Sequence, residues 1–457
     1  MYTQTLVEGG IYTKLVDLLY QKRGIATVKT KGKGASGKKV LIIVRDFLPY
    51  CHSLGGVIRV VKMAQFLQEN GYETFVLCAK GEEISYFGYE GLLSNLNVIY
   101  VNDILQRYNN RSRNAIKKSK VITTTSKATI IQWLKNLINE LCIPDIGVLF
   151  TNQYVKEAST LINKHGIVNV IVSSPPHSTQ IIGLKLKRTF GSRINLIVDY
   201  RDSWNTCAIF QKNYTATKMI SRSKESQVLK VTDEFLYVSR PMLEKINNEL
   251  VNISSKSVMI MNGFDLKMVK HGYSVIQDNN ILTIGYFGEI SDNDGSFRDP
   301  TRFLEEIFRS GLKIKLIFYG PVILNPKWKE CFGDRIEINN SVSHAEALDH
   351  MTKMDILLIV HSEFNGGEEV ITGKIFDYFL ALRPVLVVGP NNMEAARIVE
   401  ENNLGYCIDI FNEDEMAIKI KEIYKQWQVR KLKSYSIDDV VNFSRQNQYS
   451  KLFDILK

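Results

Sequence analysis

The sequence predicts an α/β chain built from two doubly wound halves, each a parallel sheet covered by helices on both faces. Three observations carry this expectation. Short continuous apolar runs rich in Val and Ile alternate with stretches of helical spacing, as strands buried on both faces do. The alternation stops at a polar break, Lys267–Asn280, and then restarts. At 457 residues the chain is too long for one ordinary core, so two domains plus extras are the default.

Taken in order, residues 1–37 read as an appendage: Ile11, Leu15, Leu18 and Leu19 have helical spacing, and a Gly/Lys/Ser linker follows. The linker G-K-G-A-S-G-K-K superficially matches a phosphate-binding loop, but no Ser/Thr follows its lysine and it precedes a strand instead of following one. Residues 38–266 form the first half. Its strands are expected at VLIIV (40–44), TFVLC (74–78), NVIYV (97–101), VNVIV (168–172), NLIVD (195–199), FLYVS (235–239) and VMIM (258–261). Between the first two, Val57, Val60, Val61, Ala64 and Leu67 mark one helix face, closed by Asn70-Gly71. Residues 281–435 form the second half, with strands at LTIGYF (282–287), IKLIFY (314–319), RIEI (335–338), DILLIV (355–360), PVLVVG (384–389) and GYCID (405–409). The last stretch, 436–457, is helical in period and belongs to neither series; it is expected to return to the first half.

Composition narrows the function classes. No apolar run approaches the ~18 residues that span a bilayer, and the N-terminus lacks a signal-peptide core, so a cytoplasmic location is expected. The six cysteines are scattered without a CxxC pair or a histidine cluster, and they read as free thiols in a reducing compartment. Net charge is +10, with the excess in the first half; Arg107–Lys135 alone holds eight Lys/Arg and no Asp or Glu. This is either a solvated basic face or a surface drawn to anionic lipid or to a diphosphate-bearing acceptor, which would make the protein peripheral on the inner membrane face. Nucleic acid is disfavoured, because aromatic residues do not interleave with these charges.

Ligands of doubly wound sheets gather at the C-terminal strand ends, so those loops hold the candidates. Gly55 and Gly56 open a helix after the first strand, where a ligand can approach the backbone and accept its free N–H groups. His177 follows Pro175 and Pro176 in a stiffened loop and is either structural or catalytic. Asp199 and Arg201 share a strand face and either pair with each other or leave Arg201 and Asp202 to handle substrate. In the second half Gly288 and Glu289 end a strand, and the loop beyond leads to Arg298, whose planar donor fork suits a diphosphate. Asp292-Asn293-Asp294 has the D-x-D form of some metal clamps, but turn composition explains it better, and no metal site is assigned. His344 stands at a helix start, facing a nucleotide base or capping the helix.

The most informative stretch is Glu369–Pro384, in which Glu369 and Asp377 lie eight positions apart around Gly373 and Lys374. With Thr372 as the expected N-cap, Ile375, Phe376, Phe379 and Leu380 form the buried face, and Asp377 and Tyr378 are left toward the cleft or solvent. A carboxylate on either side of free N–H groups and an ammonium suits a phosphate joined to a polyhydroxylated group, as in a nucleotide-sugar.

The fragments VLIIVRDFLP…GG, VNVIVSSPPHST, NLIVDYRDSW, VMIMNGFD, IGYFGEI, IKLIFYG and VITGKIFDYFLALRPVLVV together resemble the retaining glycosyltransferases of family 4, from about Lys38 to about Gly405. The resemblance implies the GT-B fold, two Rossmann-like domains facing a cleft, and a front-face transfer without cofactor or metal. It implies that Glu369 handles the donor sugar, and that Asp377 takes the ribose where the family has a longer glutamate. Arg298 and Lys374 are the nearest candidates for the basic pair that grips the diphosphate. Gly373, Gly288, Glu289 and His344 complete the donor side, and Gly55 and Gly56 match the glycine loop facing diphosphate and acceptor. Where many members carry a catalytic histidine this chain has Arg201-Asp202, with His177 one strand earlier. The expected activity is sugar transfer from a nucleotide-sugar to a glycan or polyprenyl-diphosphate-linked acceptor in surface-polysaccharide assembly. The competing expectations are a nucleotide-sugar epimerase of the same architecture and a non-catalytic nucleotide-sugar-binding scaffold.

Overall fold

In a computed structural model that describes residues 38–51, 55–83, 93, 95–103, 136–207, 210–269, 280–293, 295–362 and 367–457, the first series of apolar runs forms one seven-stranded sheet. Its strands are β1 (Lys39–Ile43), β2 (Glu73–Lys80), β3 (Asn97–Asn102), β4 (Asn169–Ser174), β5 (Asn195–Tyr200), β6 (Glu234–Tyr237) and β7 (Ser257–Met259). They lie in the order β3-β2-β1-β4-β5-β6-β7, every neighbouring pair parallel. The order reverses between β1 and β4, which places the natural ligand crevice outside their C-terminal ends. The strands expected at 235–239 and 258–261 end earlier, because Val238, Met261 and Asn262 leave the sheet to line the cleft. Helices α1 (Gly55–Glu69), α2 (Thr151–His165), α3 (Ser178–Phe190), α4 (Thr215–Val231) and α5 (Arg240–Glu249) cover it. The apolar face of α1 packs with the β1 residues Val40 and Ile42, and each such buried side chain contributes about 1.5–3 kcal/mol.

The second series gives β8 (Leu282–Phe287), a short β9 (Ile290–Ser291), β10 (Ile314–Tyr319), a short β11 (Val322–Ile323), β12 (Ile336–Asn339), β13 (Ile356–Val360), β14 (Val385–Gly389) and β15 (Gly405–Asp409). Six of these form a sheet in the order β12-β10-β8-β13-β14-β15, all parallel, with its reversal between β8 and β13. Helices α6 (Thr301–Ser310), α7 (Lys327–Phe332), α8 (His344–Met351), α9 (Lys374–Leu380), α10 (Glu394–Glu401) and α11 (Glu413–Gln428) accompany it.

The C-terminal segment joins the halves. Val440, Val441 and Phe443 pack in the second-half core, whereas Tyr449, Leu452 and Leu456 pack with α1 in the first. The crossing occurs at Gly263, whose φ of +67° and 2.7 Å approach of a would-be Cβ to the Phe443 carbonyl admit only glycine. Here Arg445 N donates to Phe264 O at 2.7 Å, and the Tyr449 hydroxyl donates to Arg59 O at 3.1 Å. Residues 1–37, the basic run 107–135 and Asp294 lie outside the described residues. Among the described residues no helix is long and apolar enough to cross a membrane.

Candidate active site

The two reversal points face each other across a cavity of about 390 Å³. From the first half, Gly55, Gly56, Arg201, Asp202 and Ser203 line it; from the second, Arg298, His361, Glu369 and Gly373. Seven of the sequence-derived candidates therefore meet in one space.

The first-half wall is built on Arg201. Its Nε donates to Ser174 O at 3.0 Å, and a second guanidinium nitrogen donates to Pro175 O. The guanidinium lies directly over Gly56, where an added Cβ would come within 1.9 Å of Nη1. Asp199 does not pair with Arg201. Its fully buried carboxylate takes Arg59 Nη2 at 2.7 Å and the Ser173 hydroxyl at 2.7 Å, while Arg59 Nη1 reaches Ile260 O at 2.8 Å. A carboxylate inside the sheet needs a partner that is equally buried, and Arg59 of α1 supplies it. Arg201 is thereby left for the cavity. Desolvation lowers its pKa and raises that of the neighbouring Asp202. His177 is buried behind this wall and does not line the cavity. Its ring stacks on Trp204 at 5.5 Å and meets Phe210 edge-on at 4.9 Å. Burial, with Arg201 adding to it, pulls its pKa down to about 3, so the ring is neutral.

The second-half wall begins at the ends of β8 and β10. Gly288 (φ +123°) and Gly320 (φ +129°) stack backbone on backbone, and a Cβ on Gly320 would meet Gly288 O at 2.8 Å. The missing Cβ of Gly288 leaves room for Lys374, whose Nζ sits 3.8 Å from the centre of the Tyr286 ring and would be 3.2 Å from a Cβ on Gly288. Burial, with the neighbouring Arg298 charge adding to it, pushes the Lys374 ammonium well below its ordinary pKa. Arg298 lies 3.8 Å from Glu289 through Nη1, and its buried Nε has no partner among the described residues. Two cations with one loosely held, exposed carboxylate make a site of net positive potential at a strand end. The same surroundings pull His361 down to about 3, with desolvation the largest cause, so it stays neutral.

Glu369 connects the halves. It is 5% exposed in the second half, yet both groups that hold it come from the first. The Ser203 hydroxyl donates to Oε2, and Lys245 Nζ of α5 stands 3.0 Å from Oε1 while also contacting Glu368. Burial raises the Glu369 pKa, with these partners opposing it. Desolvation pulls Lys245 down, but Glu368 and Glu369 outweigh it and leave its pKa raised. Ser203 stands within the YRDSW motif at the end of β5, but nothing in the sequence pointed to Lys245.

Asp377 and His344 meet each other outside the cavity lining, with Nε2 to Oδ1 at 3.0 Å. The hydrogen bond that His344 Nε2 donates to Asp377 raises the His344 pKa. The N-cap of α8 is Ser343, in a capping box with Glu346, so His344 is not the cap. In α9 the N-cap is Gly373, without a side-chain cap, and not Thr372. Tyr378 faces neither cleft nor solvent: it is fully buried, donating to Leu358 O at 3.1 Å and accepting from Phe287 N at 3.1 Å. The α9 apolar face is thus wider than its spacing suggested, because the hydroxyl finds backbone partners inside. Asp292 accepts from Trp328 Nε1 at 3.0 Å and Asn325 N at 2.8 Å, a loop-fixing role. Among the described residues no three His, Cys, Asp or Glu side chains are grouped to hold a metal.

Two parallel six- and seven-stranded halves, each with its reversal point on a shared cleft, define the GT-B fold. No family model matches the sequence, and no curated protein matches it. The likeness lies in three dimensions. The lipopolysaccharide outer core galactosyltransferase WaaB, in its apo form, superposes with a TM-score of 0.58 at 10% identity, over 92% of this chain and 99% of that one. Alr3699/HepE of Anabaena, solved in complex with UDP-glucose, gives 0.54 at 13% identity, over 91% and 99%. The sucrose-phosphate synthase of Thermosynechococcus elongatus gives 0.54 at 11% identity, over 92% and 95%.

Proposed function

We propose that the protein is a retaining glycosyltransferase that moves a sugar from a nucleotide-sugar to a glycan or polyprenyl-diphosphate-linked acceptor in surface-polysaccharide assembly. The observation that carries this reading is one cavity lined by a buried carboxylate, Glu369, and by Arg298, with Lys374 buried just behind the lining between Tyr286 and Gly288 and close enough to Arg298 for their charges to interact. The fold supports it, since neighbours of this architecture include a galactosyltransferase and a protein holding UDP-glucose. Arg298 and Lys374 would take the diphosphate and neutralise the charge that grows as it departs, without a metal. Glu369 would accept hydrogen bonds from the sugar hydroxyls, and the Asp377–His344 pair, outside the cavity lining, would take the ribose and base. Arg201 and Asp202 face the acceptor side, and front-face attack by an acceptor hydroxyl preserves the anomeric configuration. His177, neutral and enclosed, supports the wall that carries Arg201. Closure of the two halves excludes water and limits hydrolysis.

Thermal stabilisation by a panel of nucleoside diphosphates identifies the donor base, because a ligand bound only by the native state raises its melting temperature. With that donor, Glu369→Gln should abolish transfer while nucleoside diphosphate binding survives. Conversion of the donor to an epimer without acceptor would replace this reading by the epimerase one. Binding without turnover by the wild-type chain with any acceptor would leave a scaffold.

A further inference from the structure

A groove of about 460 Å³ runs between α3 and α4, outside the cleft. Ile181 and Leu184 line it together with Met219 and Ile220, which are 68% and 48% exposed. Lys185, Arg188 and Lys224 also line it, and among the described residues no carboxylate does. The acidic side chains nearby are engaged elsewhere: Glu225 is buried on Asn205, Asp233 holds Lys187, and Glu249 holds Arg222.

Further exposed apolar side chains stand on the segments that are tied to the groove. Lys185 Nζ donates to Thr151 Oγ1 at 2.9 Å and Asn152 Oδ1 at 2.7 Å, which ties the groove to the start of α2, directly after Leu149, 63% exposed. Before α4, Glu140 accepts from Asn213 N at 2.9 Å and Tyr214 N at 3.0 Å, which ties Tyr214 (65% exposed) to the segment that carries Leu141 (66% exposed). This rim adjoins the cleft, since Phe210, four residues before Tyr214, lines the cavity. Arg188 Nη2 donates to Gln227 Oε1 at 2.8 Å, and among the described residues neither it nor Lys185 or Lys224 meets a carboxylate. Large apolar side chains standing outward around cations without a counter-charge are costly in water and suited to a bilayer interface.

We propose that this α3/α4 face, with Leu149 and Tyr214 at its edge, docks on a bilayer of anionic lipid. Met219 and Ile220 would enter the acyl boundary, while Arg188 and Lys224 meet headgroup phosphates. The docking rests on the proposed reaction only for its purpose, which is to bring the cleft to a membrane-borne acceptor.

The test is sedimentation of the full chain with vesicles of phosphatidylglycerol and phosphatidylcholine, against phosphatidylcholine alone. Retention is expected on the anionic vesicles at low salt and is expected to fall as salt rises. Met219→Glu with Ile220→Glu, and separately Arg188→Glu with Lys224→Glu, should each weaken retention at least about tenfold at an unchanged melting temperature. Either pair alone suffices if the other fails to fold. The assignment is overturned if both pairs bind as wild type does, if neutral vesicles serve equally well, or if the wild-type chain is not retained. Nucleoside diphosphate stabilisation in the same preparations keeps the two readings apart. A chain that binds nucleotide but no vesicle loses only the docking face; one that binds vesicles through this face but no nucleotide loses only the transferase reading.

Discussion

Adjacent glycines at the start of α1 offer a matched pair of substitutions with opposite expected outcomes. Among the described residues an alanine Cβ at Gly55 meets nothing within 4 Å, whereas one at Gly56 stands 1.9 Å from Arg201 Nη1. Ordinary contact begins near 3.4 Å, so the guanidinium would have to retreat by about 1.5 Å. It is anchored by Ser174 O at 3.0 Å and by Pro175 O, and hydrogen bonds of a charged group contribute about 1.5–3 kcal/mol each. Losing one of them, offset by the ~0.5–1 kcal/mol that alanine gains over glycine in a helix, leaves Gly56→Ala about 1–2 kcal/mol less stable. For a first half of this size that is a few degrees of melting temperature. Gly55→Ala should melt at or slightly above wild type. The displaced Arg201 should also depress transfer in Gly56→Ala, while nucleoside diphosphate still stabilises the protein through Arg298 and Lys374. Differential scanning fluorimetry with and without nucleotide, together with a donor-turnover assay, reads all three quantities. If the two variants melt together and turn over donor alike, Arg201 is not held over Gly56 and the first-half wall has been misread.

Three further outcomes follow from the electrostatics. Lys374→Met keeps the stem over Tyr286 and removes an ammonium whose pKa is depressed by burial. Its ligand-free melting temperature should equal or exceed wild type, whereas calorimetry should show nucleoside diphosphate binding weakened roughly 10–100-fold, the equivalent of one charged hydrogen bond. The raised His344 pKa means that its pairing with Asp377 stabilises fully below the unfolded value of ~6.5 and fades as pH rises through the folded one. In an NMR titration Asp377→Asn should move the His344 midpoint downward; an unmoved midpoint would exclude the pairing. Glu225 is fully buried, and desolvation lifts its pKa to about 7 although Asn205 donates to it at 2.7 Å. Because the folded state holds this proton more tightly, stability should fall as pH rises from ~4.5 to about 7, by at most ~3 kcal/mol. Glu225→Gln should flatten that descent in urea midpoints measured across the window.

What could be read from the sequence divides along a physical line. Alternation of buried strands and amphipathic helices is a local pattern, and both sheets appear where the apolar runs lie. Loop residues at strand ends are equally local, so Gly56, Arg201, Arg298 and Glu369 could be named before their meeting place was known. Burial is where local reading failed. Tyr378 and His177 looked available to the cleft because their polar atoms do not disclose whether the fold encloses them; one hydroxyl found backbone partners, and one ring stacked on Trp204. The spacing of Asp199 and Arg201 left open whether they paired with each other; Asp199 took Arg59, 140 positions away. The same limit explains Ser203 and Lys245. Ser203 reaches Glu369 across 166 positions and from the opposite half of the molecule, and no periodicity encodes such a distance. This has a consequence for the chemistry. In the proposed reaction the carboxylate that orients the donor sugar belongs to the donor half, yet its two oxygens are held by a hydroxyl and an ammonium of the acceptor half. Glu369 is therefore fully positioned only when the halves are together, so each half folded alone would hold the donor less well than the closed cleft.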